Sequence, residues 1–203
     1  MSETKEKILM TALHLFARDG YEAVSVSVIA KQLGITKGAL YKHYKNKQDI
    51  FDHIVQRMYE IDEQKSINYQ VPEVTYEENP QLYQDVSIDH LKEFTRAQFL
   101  FWLEDDFAYH FRKMLVLEQY RNQEIAQLYN ACLVEGPMNY TKDIFQEMIK
   151  NDVLLQNDAS QLAVEFYAPF YLFLHMSDLT HQKEKYREMF DNHLNCFIQK
   201  YKK

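Results

Sequence analysis

Glycine and proline are scarce in this sequence, with four residues of each among 203. Sheet-rich folds need many tight turns, which these two residue types supply, so their scarcity argues against an all-β fold. Hydrophobic residues make up 46% of the chain and aromatic residues 14%, which is enough to build the buried core of a globular protein. The composition therefore predicts an all-α fold.

Cysteine is also rare, and only Cys132 and Cys196 occur, without the close spacing of a metal or redox motif. Two isolated cysteines favour reduced thiols in a cytoplasmic protein over a disulfide framework. The longest apolar stretch, Tyr167 to Leu174, contains Pro169 and is far too short to cross a bilayer. The N-terminus is polar, so we expect neither secretion nor membrane insertion.

Sequence motifs of the common enzyme classes are missing as well. There is no GxSxG motif, no glycine-rich phosphate loop and no suggestive pairing of cysteine with histidine. The eight histidines form no HxxxH or HExxH pair, and Asp178 with His181 comes nearest to a helical ligand pair. The acidic run Glu104, Asp105 and Asp106 is expected at a helix junction, facing solvent. We expect no catalytic residues, no metal and no cofactor.

Acidic residues are absent from one stretch of an otherwise acidic chain. The net charge is −7, yet the first 53 residues hold eight Lys or Arg and six Asp or Glu. Between Lys31 and Lys47 there are five lysines and no carboxylate. The local field is positive, so this stretch would attract a polyanion that the remainder of the chain repels. An ordinary solvated helical face is the alternative interpretation.

The same stretch has the spacing of a helix-turn-helix. Apolar residues at helical spacing, with Gly20 as a stop, predict a first helix over about residues 4–19. Ser25 and Thr36 are suited to cap two short helices, and Gly34 suits the turn between them. Helix, short turn and helix in this order are typical of DNA-binding proteins, so we predict a DNA-binding domain here.

The second helix of a helix-turn-helix lies in the major groove, where its N-terminal residues approach base edges. We expect Lys37, Gly38 and Ala39 at this position, because small and polar residues let the backbone come close. Contacts with phosphates are expected from Tyr41, Lys42, His43 and Lys47. The last of these opens a fourth helix, whose N-terminal amides also favour a phosphate. The spacing of Leu40 and Tyr44 instead predicts that both point into the core.

The segment GYEAVSVSVIAKQLGITKGALYKHYKNKQDIF resembles the N-terminal domain of the TetR family of transcriptional regulators. The matching positions are Gly20, Tyr21, Ile29, Ala30, Gly34, Gly38, Leu40, Tyr41, His43, Tyr44, Lys47, Ile50 and Phe51. So many positions in order are far more specific than one short motif, although they cover only about the first quarter of the chain. The family often has an acid where Val28 stands here.

The resemblance implies a three-helix DNA-binding domain with a helix-turn-helix, which we place at residues 1–50. It implies a helical ligand-binding and dimerisation domain for residues 51–203. Such a protein is a repressor that binds a palindromic DNA operator as a homodimer and is released by a small-molecule effector. The resemblance assigns contacts at or near base edges to Ser27, Thr36, Lys37, Gly38 and Ala39, and phosphate contacts to Tyr41, Lys42, His43 and Lys47.

Further helices are predicted for the remaining three quarters of the chain. Residues 66–86 show no clear period, so we expect that the fourth helix runs into them or that part of them is mobile. A long helix beginning near Asn122 is expected to be interrupted at Gly136 and Pro137, because proline removes a backbone donor. The last two predicted helices are apolar over a broad surface, which predicts that a second subunit covers one side of them.

Aromatic side chains of the C-terminal part are candidates for the lining of an effector pocket. They are Phe99, Trp102, Phe111, Tyr129, Phe145, Tyr167 and Phe170. Trp102 and the interruption at Gly136 and Pro137 are the leading candidates for the pocket, because a kink opens space between packed helices. A stripe of aromatic residues at helical spacing is more often a plain core, and both interpretations stay open.

Two other functions also stay open. The protein could be a DNA-tethered protein-interaction module without a small-molecule ligand, which would show an exposed apolar patch and a ligand-independent operator complex. It could also be a helical enzyme with an incidental basic face, whose turnover would survive loss of the first 50 residues.

Overall fold

The computed structural model describes residues 2–180 and 182–203. These residues form ten α-helices and one short 3-10 helix, and no strand occurs among them. The prediction of an all-α fold is confirmed. His181, which the sequence analysis paired with Asp178, lies outside the described residues.

The N-terminal helices are α1 (Glu3–Asp19), α2 (Val26–Gln32), α3 (Lys37–Tyr41) and α4 (Lys47–Asn68). Ser2, Ser25 and Thr36 cap the first three of them, because each hydroxyl accepts a hydrogen bond from a backbone amide three residues ahead. The fourth helix runs into the segment of residues 66–86, which was one of the two predicted alternatives.

After a 3-10 helix at Pro80–Tyr83, the chain continues with α5 (Ile88–Glu104), α6 (Asp106–Glu118), α7 (Gln123–Leu133), α8 (Glu135–Lys150), α9 (Ala159–Thr180) and α10 (Lys183–Tyr201). The acidic run at residues 104–106 marks the junction of α5 and α6 and is exposed, as predicted. Asp105 has a structural role there, since its carboxylate caps α6 by accepting a hydrogen bond from the amide of Ala108 at 3.0 Å.

The break between α7 and α8 falls at Val134, two residues before the predicted interruption. Pro137 lies in the first turn of α8, where a missing amide hydrogen leaves no intrahelical bond unmade, so proline is tolerated there. A Cβ atom at Gly136 would overlap the carbonyl oxygen of Ala131, so the junction needs glycine for close approach of the backbone. The predicted single, interrupted helix is therefore two helices.

The chain packs as two compact units. The first unit takes the N-terminal segment up to Ile61 together with Asp105–Tyr129, and the second takes Asp62–Glu104 and Asn130–Lys203. In the first unit, α1 packs against α2 and α6. In the second, α9 packs against α5, α8 and α10. This is a division by packing, and the functional boundary between residues 50 and 51 stays a prediction.

Each unit has its own apolar core. The first is centred on Ile8, Ala12, Phe16, Ile29, Leu40, Ile50, Ile54, Phe111 and Met114. The second is rich in aromatic rings: Phe99 stacks on Phe190 with 4.3 Å between the ring centroids, and Phe145 stacks on Phe197 at 5.5 Å. Over the residues that the structure describes, no helix is both long and apolar enough to cross a bilayer.

Candidate nucleic-acid interface

The helix-turn-helix consists of α2, a turn at Gly34, and α3. Gly34 has a φ angle of 67°, in the left-handed region that favours glycine. Its amide donates to the carbonyl of Lys31 at 3.1 Å, and the amide of Ile35 donates to that of Ala30 at 3.0 Å. These bonds satisfy the last carbonyls of α2 and fix the direction in which the chain leaves it.

Capping side chains begin both helices of this motif. The Ser25 hydroxyl accepts a hydrogen bond from the amide of Val28 at 3.4 Å. Val28 has no acidic side chain with which to return a second bond, so the capping box common in the family is half formed. The Thr36 hydroxyl accepts from the amide of Ala39 at 3.1 Å and sets the start of α3.

The predicted DNA-contacting residues lie on the surface of the motif. Thr36, Lys37, Gly38, Tyr41 and Lys42 are exposed, whereas Ser27, Ala39, His43 and Lys47 are half-buried. Leu40 and Tyr44 are buried, which confirms their predicted core positions. Whether the exposed residues contact DNA stays a prediction.

Four ammonium groups of the acid-free stretch have no acidic partner among the described residues. They belong to Lys31, Lys37, Lys42 and Lys45. No carboxylate in the described part of the unit therefore neutralises these four charges. All four ammonium groups remain available to attract a bound polyanion. The surface of α3 and its flanks is consequently a basic face on an acidic protein.

Lys47 is held differently from the other lysines. Its ammonium donates to the carbonyl oxygen of Tyr21 at 2.8 Å and lies 4.1 Å from the centroid of the same tyrosine ring. Glu22 is 3.9 Å away. This lysine ties the start of α4 to the turn after α1, and its predicted phosphate contact would come in addition to that role.

A buried carboxylate supports the turn that leads from α1 into the helix-turn-helix. The amide of Tyr21 donates to Glu118 Oε1 at 3.1 Å, and Glu118 on α6 is fully buried. Gly20 has a φ angle of 90°, and a Cβ atom there would overlap that carboxylate oxygen. The glycine thus allows the carboxylate to reach the backbone of the turn.

Two buried tyrosines fasten the same unit. The Tyr21 hydroxyl donates to Gln48 Oε1 at 2.7 Å, and the Tyr44 hydroxyl donates to the carbonyl of Lys5 at 3.1 Å. Burial raises the pKa of both tyrosines to about 12, so both hydroxyls remain protonated donors at neutral pH. The Tyr21 bond holds the turn after α1 against α4. The Tyr44 bond holds the short segment after α3 against α1.

All seven aromatic residues predicted to line an effector pocket are buried. In the second unit, Phe170 meets Phe99 with ring centroids 5.4 Å apart and Tyr167 at 5.1 Å. Phe145 packs among other rings, and Trp102 lies beside Phe101. Phe111 and Tyr129 belong to the first unit. The structure thus gathers three of the seven into one cluster, and their role as a pocket lining stays a prediction.

An open cleft of about 710 Å³ in the second unit has a different lining. None of the seven aromatic side chains lines it. The lining consists of residues 84–89, Glu147, Lys150, Asn151, Val153 and Lys202. Its lining is largely polar and charged, so it offers little to the flat or apolar effector that the sequence suggests.

Sequence reasoning missed a carboxylate that is hydrogen-bonded to α5. Gln98, which precedes Phe99 on α5, donates a hydrogen bond to Asp62, and desolvation raises the pKa of that carboxyl. Burial, helped by the charge of Asp62, raises the pKa of Cys132 to about 12, so its thiol is protonated and unreactive at neutral pH. The helical period of α4 could not have indicated the contact of Asp62 with Gln98, because Gln98 lies on α5.

Sequence reasoning also missed a second polar group, which lies in the first unit. His14 of α1 lies beside Asp106 and His110 of α6. The spacing of Asp106 and His110, four residues apart on one helix, could have indicated half of this group. The other half is 92 residues away along the chain and needs the tertiary structure.

The helix-turn-helix of this protein lies in a segment that matches a known family of DNA-binding proteins. The model of the family "Bacterial regulatory proteins, tetR family" matches residues 8–54. This domain is therefore similar to the DNA-binding domain of TetR-family regulators. The match contains most of α1, all of α2 and α3, and the start of α4, and therefore every residue predicted to contact DNA.

Curated TetR-type relatives are similar over the same region. The HTH-type transcriptional regulator AcrR of Shigella flexneri is 46% identical over 52 residues, which are 26% of this chain and 24% of AcrR. An HTH-type transcriptional regulator of Staphylococcus aureus (strain USA300) is 35% identical over 92 residues, 45% of this chain and 48% of that protein. The chain thus spans less than half the length of these curated relatives.

Similarity of fold extends through the whole chain. The solved structure of a SmeT–triclosan complex has a TM-score of 0.69 and covers 100% of this chain and 93% of its own. SmeT is described as the repressor of the multidrug efflux pump SmeDEF of Stenotrophomonas maltophilia. The identity is 19%, so the likeness shows a shared fold that includes the region beyond the DNA-binding domain.

Proposed function

We propose that this protein is a transcriptional repressor that binds a palindromic operator as a homodimer and is released by a small-molecule effector. It acts by binding and not by catalysis, in the bacterial cytoplasm where the operator lies. The observation that carries the proposal is the basic face of α3, exposed and free of acidic partners, on a TetR-type helix-turn-helix.

Gly38 supports direct approach of α3 to the bases. A Cβ atom there would lie 3.9 Å from the Thr36 hydroxyl, which is an ordinary contact, and the residue has no left-handed backbone. Nothing within the domain therefore requires glycine at this exposed position. Close approach to a base edge would require it, because any side chain would hold the backbone away from the groove.

The neighbouring residues divide into two roles on this proposal. Lys37 and Ala39 face base edges with Gly38, together with Thr36 and Ser27 at the rim. Phosphates are bound by Tyr41, Lys42, His43 and Lys47, which fix register without reading sequence. The half-buried positions of the histidine and of the last lysine suit groups that are oriented by the domain before DNA arrives.

An apolar surface on the last two helices supports a homodimer. Val164, Leu172 and Leu179 of α9 are 41%, 52% and 83% exposed, and Met189 of α10 is 39% exposed. The three α9 residues lie within an arc of about 80° around the helix, since each residue advances by 100°. A second copy of the chain would cover this stripe, and the dimer would present two α3 helices to one operator. The two helices would lie one DNA turn apart, about 34 to 36 Å, or a multiple of that distance.

The cluster of Phe99, Tyr167 and Phe170 is the proposed effector site. A TetR-type neighbour, SmeT, has been solved with triclosan. An effector releases the operator only if it binds the DNA-incompetent conformation more tightly than the competent one. The cluster is buried, so an effector must enter by separating packed rings.

Fluorescence anisotropy tests the proposal, with the purified protein, DNA from immediately upstream of its own gene, and a scrambled duplex of equal length. We expect preferential binding to the upstream DNA by two protomers or a multiple of two, weakened by added salt as counterions are displaced. The absence of binding to either duplex at low salt would refute DNA recognition. A saturating complex with one protomer per site would refute the dimer.

A further inference from the structure

A compact group of metal-ligating side chains joins α1 to α6 within the first unit. His14 Nε2 donates to Asp106 Oδ2 at 2.7 Å, and His110 Nδ1 lies 3.2 Å from Asp106 Oδ1. The two imidazole rings are 4.2 Å apart between centroids. One ligand atom from each of these three residues lies within 4.8 Å of the other two. We call this group the His–Asp–His cluster.

The cluster has the dimensions of a three-ligand cation site. Bonds of about 2.1 Å to a tetrahedral ion separate its ligands by roughly 3.4 Å. Closing from 4.8 Å to that distance needs rotation of side chains that are exposed or half-buried. His14 and Asp106 are 45% and 61% exposed, so solvent and ions can reach them.

One histidine is already oriented by the backbone. His110 Nδ1 is 2.8 Å from the carbonyl oxygen of Asp106, to which its N–H donates. That bond leaves Nε2 with a free lone pair, and such an oriented tautomer is usual for histidine ligands of metals. Arg18, one turn after His14 on α1, is paired with Asp19, so its positive charge is compensated near the cluster.

We propose that the His–Asp–His cluster binds a divalent transition-metal ion, with Zn²⁺ as the representative ion, and thereby clamps α1 to α6. Two imidazole nitrogens and one carboxylate oxygen suit Zn²⁺ and its neighbours Ni²⁺ and Cu²⁺, whereas Mg²⁺ and Ca²⁺ prefer oxygen ligands throughout. Water supplies the fourth ligand on the exposed side. This proposal goes beyond DNA binding and does not depend on it.

The test is a Zn²⁺ titration of the full-length, untagged and chelator-stripped protein against a competing chromophoric chelator. Matched variants are His14→Ala, Asp106→Asn and His110→Gln, with His90→Ala on α5 as a control that also removes one exposed histidine. Circular dichroism of each variant verifies that the fold is retained. A thermal melt with Zn²⁺ or Mg²⁺ gives an independent readout, because an ion that binds only the folded state raises Tm.

We expect one Zn²⁺ per chain in the parent protein and in His90→Ala. Each cluster variant should lose affinity by more than about 100-fold, because even outer-shell changes at metal sites cost 10- to 100-fold. Zn²⁺ should raise the parent Tm, and it should leave the Tm of Asp106→Asn unchanged. Equal Zn²⁺ affinity in the parent and His14→Ala, or no stoichiometric binding at all, would overturn the proposal and leave the cluster an ordinary ion pair.

Discussion

Replacing Gly20 with alanine should lower the free energy of unfolding by about 2 to 6 kcal/mol. The φ and ψ angles of 90° and 149° lie in a region almost restricted to glycine, and forcing alanine into it costs roughly 1–3 kcal/mol. The new Cβ would also displace the Glu118 carboxylate, leaving the amide of Tyr21 without its acceptor. Losing that partner in a buried site costs about another 1–3 kcal/mol.

Urea unfolding followed by circular dichroism measures this loss, with Gly34→Ala as the matched control. Gly34 also has a positive φ angle, 67°, but no atom lies within 4 Å of the position of its missing Cβ. The control should therefore lose only the backbone term, about 1–2 kcal/mol. Gly20→Ala should therefore lose more stability than Gly34→Ala, because it adds the overlap with Glu118 to its backbone strain.

A double-mutant cycle with Glu118→Ala makes the reasoning refutable. Once the carboxylate is removed, Gly20→Ala should cost only its backbone strain, about 1–3 kcal/mol. If Gly20→Ala and Glu118→Ala are simply additive, or if the two glycine variants lose equal stability, then the carboxylate does not set the requirement for glycine at this turn.

Four further outcomes are expected. Lys42→Ala should weaken binding to all DNA sequences and reduce the dependence of affinity on salt by about one displaced ion. Lys37→Ala should mainly relax sequence preference. Fluorescence anisotropy with operator and random DNA distinguishes the two effects. Thr36→Ala removes the cap of α3 and should cost about 1 kcal/mol in urea unfolding, and Thr36→Ser should restore it. Leu172→Glu should yield monomers in analytical ultracentrifugation if α9 forms the dimer contact. Burial lowers the pKa of His193 in the folded state below its ordinary 6.5. As the pH falls, the unfolded state therefore binds a proton at this histidine before the folded state does. Stability should then fall as the pH drops through about 6.5, and His193→Asn should flatten that dependence in unfolding titrations.

Local features of the DNA-binding domain were predictable from the sequence. The caps at Ser25 and Thr36 act on amides three residues away, and glycines at turns are recognisable because few other residues adopt a positive φ angle. The core positions of Leu40 and Tyr44 follow from helical spacing. These signals lie within a few residues of the feature they specify, so no tertiary information is needed.

Features that depend on distant partners were not predictable. Periodicity shows that α6 has an apolar face, but not that this face packs on α1. The contact of Glu118 with Tyr21 spans 97 residues, and that of His14 with Asp106 spans 92. The α7–α8 break was misplaced for a different reason: proline both ends and begins helices, and the sequence around Pro137 does not distinguish the two.

The membership of α6 in the first unit limits how the DNA-binding domain of this protein can be recombined with other proteins. A hybrid that joined residues 1–50 to the C-terminal part of another repressor would leave the turn at Gly20 and Tyr21 without Glu118. Transfer of the DNA specificity therefore requires a discontinuous graft that brings Asp105–Tyr129 along. In an evolutionary lineage, the same dependence would make α6 change in step with the turn before the recognition motif, while neighbouring helices diverge freely.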